Sequence, residues 1–400
     1  MSSIFLKLQS FFGLLIFILI CFLLSENRKK ISWRVVLWGV GLQLVIAFIV
    51  IKSPVAKSFF YLADRLFAKI ISYSDRGAEF LFGKLTTDIS FGAVFAFQVL
   101  PVIVFVSGLS GILYYFRIIQ FFVNLFAKIM KVSMKISGAE SLGAALLVFT
   151  GIESAPALKH YLKNMTKSEI FVYMVAFMST IASSVMAAYV SFGASAGHLL
   201  AASFMSAPAA VVVAKILIPE TEKPETLTGA SLGSISSEKN VLEAIVNSTS
   251  SGLYLAFNVG ALVLVFVGLI HLINGGLSFL NISLEKILGW IFTPFSILMG
   301  VPYNESVTVG QLLGIKTVFN EFLGYAKLQT YLSVLSERSV IIATYALCGF
   351  ANFGSMGILI AGLSTVIPEK KSIVVSLALR SLLAGTIACF MTAIIAGFFI

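Results

Sequence analysis

The sequence predicts an all-α polytopic membrane protein, and three observations carry that expectation. Of 400 residues, 58% are hydrophobic and only 12% are charged, against roughly 25% charged in a soluble domain. Several apolar runs reach the roughly 20 residues that cross a bilayer as a helix. No long apolar–polar alternation accompanies them, which argues against an outer-membrane barrel. The runs read as eight membrane helices, two re-entrant hairpins and additional interfacial helices.

The formal charge of +10 raises nucleic acid as a partner. The basic residues instead fall in short clusters between apolar runs, such as Arg28-Lys29-Lys30 and Lys370-Lys371. That is the positive-inside pattern of a membrane protein, so no nucleic-acid partner is expected. Cys21, Cys348 and Cys389 lie in apolar runs without metal or disulfide spacing, and His160, His198 and His271 are scattered. No metal site or cofactor is expected.

The elements follow in order. Residues 4–24 form the first span, read as a retained helix because it lacks a clear small-residue cleavage site. A basic loop, 26–34, precedes a return span at 35–52, which places the loop in the cytoplasm. In residues 55–72, Phe59, Leu62, Leu66, Phe67 and Ile70 share a helical face interrupted elsewhere by charges, as in an interfacial helix. Residues 90–113 are a long span that Pro101 is expected to kink. Gln98 within it reads as a helix–helix hydrogen bond. Residues 116–135 are a second amphipathic, interfacial helix.

Residues 138–162 are too interrupted for a plain span. Gly138, Gly143, Gly151 and Pro156 break the run, and Glu153 puts a carboxylate inside it. A re-entrant hairpin beside protein or a water-filled cavity tolerates that mixture. Residues 169–192 form a span with a polar centre, and 197–218 follow. A soluble-looking linker occupies 219–240. Residues 251–274 are an uninterrupted span, and 280–299 are interfacial with Trp290 as an anchor. Residues 305–328, carrying Glu321, repeat the hairpin pattern. The span 338–366 is broken at Cys348 to Gly357, and 372–400 end the chain with Arg380 inside. An intramembrane arginine calls for a carboxylate or carbonyl partner, either as a structural tie or on the transport pathway.

An internal repeat links the halves. Glu153 pairs with Glu321, Lys159 with Lys327 and Ser168-Glu169 with Ser336-Glu337, all at one offset. Paired discontinuous segments in two halves mark the binding site of a secondary transporter. Glu153, Glu321, Asn352 and Ser355 supply acceptors and donors for a ligand with several hydroxyl or ring N–H groups. Phe350 and Phe353 could pack its flat face. A membrane enzyme using two carboxylates as acid and base lacks any nucleophile, metal or phosphate-loop motif. A channel would need a selectivity ring that one acidic residue per hairpin does not make within a single chain.

The motifs Phe95-Ala-Phe-Gln-Val-Leu-Pro101, Ser107 to Tyr115, His198 to Pro208, Gly314 to Phe322, Cys348-Gly-Phe-Ala-Asn352 and Leu379-Arg380 resemble those of the concentrative nucleoside transporters. The resemblance covers nearly the whole chain. It implies a homotrimer in the lipid bilayer, here a bacterial inner membrane, importing nucleosides by cation symport with an elevator-like movement. It divides the chain into a scaffold part at 1–115, a first hairpin repeat at 116–218 in the transport part, a linker at 219–250, a scaffold helix with an interfacial helix at 251–299, and a second hairpin repeat at 300–400 in the transport part.

The resemblance also assigns roles. Glu153 and Val185 fall on the nucleobase side, and Glu321, Asn352 and Ser355, with Phe350 nearby, on the ribose side. Many members read Gly-Gln-Thr/Ser-Glu in the first hairpin, where this chain has Thr150-Gly151-Ile152-Glu153. Gly151 and Ile152 therefore remove two hydrogen-bonding side chains from the base side. Sodium-coupled relatives place an Asn where this chain has Leu146, while Thr180 and carbonyls near Phe149 and Ile181 remain. Loss of one oxygen ligand favours a proton over sodium, with Glu153 or Glu321 as carrier.

Overall fold

The computed structural model describes residues 3–87, 95–227, 230 and 238–400, and among these every regular element is helical. Helix α1 (Ser3–Leu23) and α2 (Trp33–Ala47), which continues through a wide turn at Phe48–Lys52, are the first two spans. Helix α3 (Pro54–Phe82) begins with proline in its first turn, where the missing N–H costs nothing. It runs ten residues past the expected end at 72 and is followed by the short α4 (Lys84–Thr87). The expected span at 90–113 starts among residues outside the described set; from Phe95 it is helical. A wide turn at Phe95–Val99 precedes α5 (Leu100–Tyr115), so the loosened backbone sits just before Pro101. Gln98 donates to the Thr86 carbonyl at 2.7 Å, a tie between segments as expected.

Helix α6 (Ile118–Met134) leads into the first hairpin. Its first arm is α7 (Gly138–Leu147), and its second is a 3-10 segment, Ile152–Leu158, continued by α8 (Lys159–Asn164). The next span is broken: α9 (Lys167–Ser179) and α10 (Ser183–Ser191) flank an extended Thr180–Ala182. Helix α11 (Ala196–Leu217) precedes the linker, which ends earlier than the expected 250. Asn240 accepts the Glu243 N–H at 2.9 Å and caps α12 (Val241–Leu277), so 241–250 are helical.

Helix α13 (Leu284–Leu298) meets α14 (Tyr303–Val318) at 118°. The latter is the first arm of the second hairpin, and α15 (Glu321–Tyr331) is the other. Helices α16 (Glu337–Leu347) and α17 (Phe353–Val366) form the second broken span, and α18 (Lys371–Phe399) the last helix. The two repeats agree closely: the first halves of the broken spans end at Ser179 and Leu347, and the second arms of the hairpins begin at Ile152 and Glu321.

Helices α9, α11 and α18 lie at the centre, whereas only 11% of the apolar window of α12 is buried. Helices α1 and α2 pack on α18 and α11, while α5 pairs with α12. Helix α3 contacts both the Phe48–Lys52 turn and α5. Small residues let α5 and α12 approach closely. A side chain at Gly111 would meet Ser248, and one at Gly252 would meet Ser107.

Arg380 pairs with Glu26 on the loop between the first two spans, and Lys167 reaches the same carboxylate at 2.9 Å. The Arg380 side chain is 53% exposed. It ties the last helix to the loop and to the start of α9. Partial burial works against the Glu26 carboxylate, but the bonds and charges of Lys167 and Arg380 outweigh it and hold the group below the usual carboxylate range.

Candidate functional site

The second repeat places its polar groups through helix caps. Asn320 accepts the Leu323 N–H at 2.9 Å and starts α15, which fixes Glu321 in the first helical turn. Asn352 accepts the Ser355 N–H at 2.7 Å and starts α17. With its oxygen used in the cap, Asn352 turns its amide nitrogen to Glu321 and donates to Oε2 at 2.7 Å. Tyr189 from α10 donates to Glu321 Oε1 at 2.9 Å. Its ring stacks on Tyr325 with centroids 4.3 Å apart and meets the edge of Phe322. Glu321 is buried, and each of its oxygens has a neutral hydrogen-bond partner.

The first repeat is built differently. Glu153 is exposed, not buried as its apolar sequence context suggested. The 3-10 turn directs it outward, and its Oε1 accepts the Gly151 N–H at 3.0 Å. A side chain at Gly151 would lie 2.4 Å from Glu153 Oε2, so the missing Cβ lets the carboxylate fold back. Ile152 fills the space beside Gly362 of α17, where a Cβ would sit 2.6 Å from Ile152 Cγ1. The first hairpin thereby touches the second repeat.

The two broken spans cross near the site. Phe350 N–H donates to the Thr180 carbonyl at 3.3 Å. Gly349 allows the approach, because a Cβ there would lie 2.9 Å from the Ser179 carbonyl oxygen. Ser183 donates both its N–H and its hydroxyl to the Phe149 carbonyl. Thr180 donates its own hydroxyl to Ala176 at 2.7 Å, and Leu146 is fully buried.

A cavity of about 70 Å³ joins these elements. Gly151, Ile152, Glu153, Val185, Glu321, Phe350, Asn352 and Ser355, all expected on the substrate side, line it together. Thr180 does not, and Phe353 is absent from its wall. The sequence reading missed Phe177, Phe322 and Asn320, and also Leu255, Val259, Leu262 and Ile358. Tyr189, one contact further out, carried a faint signal as a phenol within an apolar span. The residues from α12 carried none, since a leucine facing a cavity reads like one facing lipid. No group of three or more His, Cys, Asp or Glu fit to hold a metal occurs among the described residues. The arrangement binds hydroxyl and N–H groups beside an apolar wall.

Three family models tile the chain. That for the Na+ dependent nucleoside transporter C-terminus matches residues 198–397, that for its N-terminus 12–85, and a nucleoside recognition model 96–196. The nucleoside permease NupC of Helicobacter pylori is 38% identical over 99% of both chains. The chain belongs to the concentrative nucleoside transporter family. Another member, solute carrier family 28 member 3 of Rattus norvegicus, is 41% identical over 98% of this chain, which spans 58% of the rat protein's length. The concentrative nucleoside transporter CNTnw, in an inward-facing substrate-bound state, superposes with a TM-score of 0.93 at 35% identity, covering 98% of each chain. A substituted CNTnw in an outward-facing state matches equally well, also at a TM-score of 0.93. Concentrative nucleoside transporters are multi-pass membrane transporters, which sets aside the membrane-enzyme reading.

Proposed function

We propose that the protein imports nucleosides by cation symport, binding ribose between Glu321, Asn352 and Ser355 and the base against Glu153, Ile152, Val185 and Phe177. The observation that carries this reading is the convergence of both repeats on one cavity, with a buried carboxyl group and a fixed amide at one end. Ribose hydroxyls donate to Glu321 and accept from Asn352 and Ser355. The base end offers one carboxylate and apolar walls, because Gly151 and Ile152 supply no side-chain hydrogen bond. At about 70 Å³ the cavity is far below the roughly 300–1,000 Å³ of small-molecule sites, so the walls part to admit a ligand. That fits an elevator-like cycle in which the hairpins move relative to α5 and α12.

The coupling ion of this reading is a proton carried by Glu153. Its carboxylate is accessible and holds one backbone bond, while both oxygens of Glu321 are engaged. The sodium named for the family model needs several oxygen ligands, and the Leu146 side chain offers none. The apolar outer face of α12, including Leu253, Phe257 and Leu264, supports assembly as a homotrimer within the bilayer. Full-length similarity to a bacterial permease supports a bacterial inner membrane.

Purified protein in liposomes tests the reading. Uphill uridine or adenosine uptake under an inward proton gradient without sodium is the expected result. Uptake driven by sodium alone refutes proton coupling. Competition by free nucleobases equal to that by nucleosides refutes the ribose assignment in favour of a nucleobase symporter.

A further inference from the structure

Two asparagines are built alike around Glu321. Asn320 and Asn352 each stand directly before a helix and spend their side-chain oxygen on its first turn. Asn320 accepts the Leu323 N–H at 2.9 Å, and Asn352 accepts the Ser355 N–H at 2.7 Å. Those bonds fix which end of each amide is nitrogen, because a turned-over amide would set donor against donor. The nitrogen of Asn352 donates to Glu321. The nitrogen of Asn320 has no hydrogen-bond partner among the described residues. Yet the Asn320 side chain is only 6% exposed and lines the cavity. A buried amide donor left unpaired is costly, so one that borders a cavity marks a place for an acceptor.

The internal repeat says what kind of position this is. Asn320 precedes Glu321 as Ile152 precedes Glu153, and all four residues line the cavity. The first hairpin fills the position with a branched apolar side chain, which lies beside Gly362 of α17. The second fills it with an amide whose unspent end is a donor. Consecutive residues of the second hairpin, Asn320 and Glu321, therefore offer a donor and an acceptor to the same cavity. A hydroxyl group donates and accepts at one oxygen, so it can satisfy both at once. A base carbonyl only accepts and a ring N–H only donates, so each satisfies one of the two.

We propose that Asn320 is a further substrate-binding residue, whose side-chain N–H donates to a ribose hydroxyl that itself donates to Glu321. This rests on the nucleoside reading of the site. The Asn320–Glu321 pair then selects a sugar position that carries a hydroxyl, because hydrogen in its place leaves both groups unmatched.

The test is equilibrium binding of tritiated uridine to the purified full-length protein, with competition by 2′-deoxyuridine, 3′-deoxyuridine and 5′-deoxyuridine. Asn320→Ser keeps a side-chain oxygen for the helix cap and withdraws the amide. It is expected to weaken uridine binding about fivefold, the equivalent of about 1 kcal/mol for a neutral hydrogen bond. For at least one deoxy analogue, the penalty relative to uridine should shrink by a similar factor, because the hydroxyl it lacks has no donor in the variant. Asn320→Asp also caps the helix and cannot donate, so it should shrink the same penalty; it decides alone if the serine variant does not fold. Deoxy penalties that are unchanged for all three analogues overturn the inference and leave Asn320 as a helix cap. A uridine loss below about twofold in Asn320→Ser does the same. A parent protein that binds no nucleoside overturns the functional reading itself, before any variant is compared.

Discussion

Replacing Glu321 with glutamine separates charge from shape at the ribose end. A carboxylate offers about four acceptor positions; Tyr189 and Asn352 use one each, at 2.9 and 2.7 Å. Asn352 cannot turn over, because its oxygen caps α17. The glutamine must therefore point its oxygen at Asn352 and its amide at the Tyr189 hydroxyl, which can rotate to accept. The network is satisfied again, so the melting temperature should move by less than about 3 °C. What disappears is the charge and most of the free acceptor capacity. A hydrogen bond to a charged group contributes about 1.5–3 kcal/mol against about 1 for a neutral one. The loss is then about 0.5–2 kcal/mol, or about 2- to 30-fold in affinity. Equilibrium binding of uridine, cytidine, adenosine and inosine should weaken by a similar factor, since ribose is common to all. Changes at Gly151 or Ile152 should instead reorder the four. A Glu321→Gln loss differing by more than about tenfold between bases would refute the division of the cavity into base and ribose ends.

The remaining predictions concern the first hairpin and the tie to the loop. Gly362→Val pushes on Ile152 and should cut uptake severalfold, while Ile152→Ala in the same chain should restore it; failure of that rescue would show that the contact does not set the hairpin position. Leu146→Asn returns an oxygen to the buried end of α7 and should make uptake respond to sodium in liposomes; an unchanged response would place the coupling cation elsewhere. Because the folded Glu26 carboxylate is held low, its stabilisation is full above its unfolded range and fades as pH falls through the lowered value. Arg380→Ala should remove at most about 1 kcal/mol, given the exposure of the pair, and should flatten the acid side of a melting-temperature profile.

The sequence carried the architecture because a membrane interior punishes polarity. Glycines and acids at 138–162 and 305–328, and the glycines and asparagine between Cys348 and Gly357, have no place in a plain span, so each break announced itself. The repeat then joined Glu153 to Glu321 before any contact was visible. What the sequence could not carry was direction. Glu153 and Glu321 looked alike, yet one folds back on Gly151 in the open and the other is enclosed by Tyr189 and Asn352. Helix length was also obscured: the polar stretch 241–250 reads as linker until Asn240 is seen as a cap. Arg380 sat inside an apolar run, but its partner, Glu26, is distant in sequence and had no reason to stand out.

The chemistry of the cavity wall bears on how the site would move. Its polar members, Glu153, Asn320, Glu321, Asn352 and Ser355, all belong to the hairpins or the broken spans. Opposite them α12 contributes Leu255, Val259 and Leu262, whose side chains hold no polar atom. Sliding the hairpins past that wall breaks no side-chain hydrogen bond to these three residues, so apolar contact can be exchanged for similar apolar contact along the helix. Helix α12 is in turn held to α5 by close small-residue packing at Gly108, Gly111 and Gly252. An apolar α12 wall facing the polar hairpins is compatible with the proposed elevator-like cycle, and Ser110 of α5, 3.4 Å from Ser183 of α10, is the polar contact that such a movement would have to exchange. In the proposed cycle the exposed carboxylate of Glu153 is the polar group of the first hairpin that would have to cross this apolar wall.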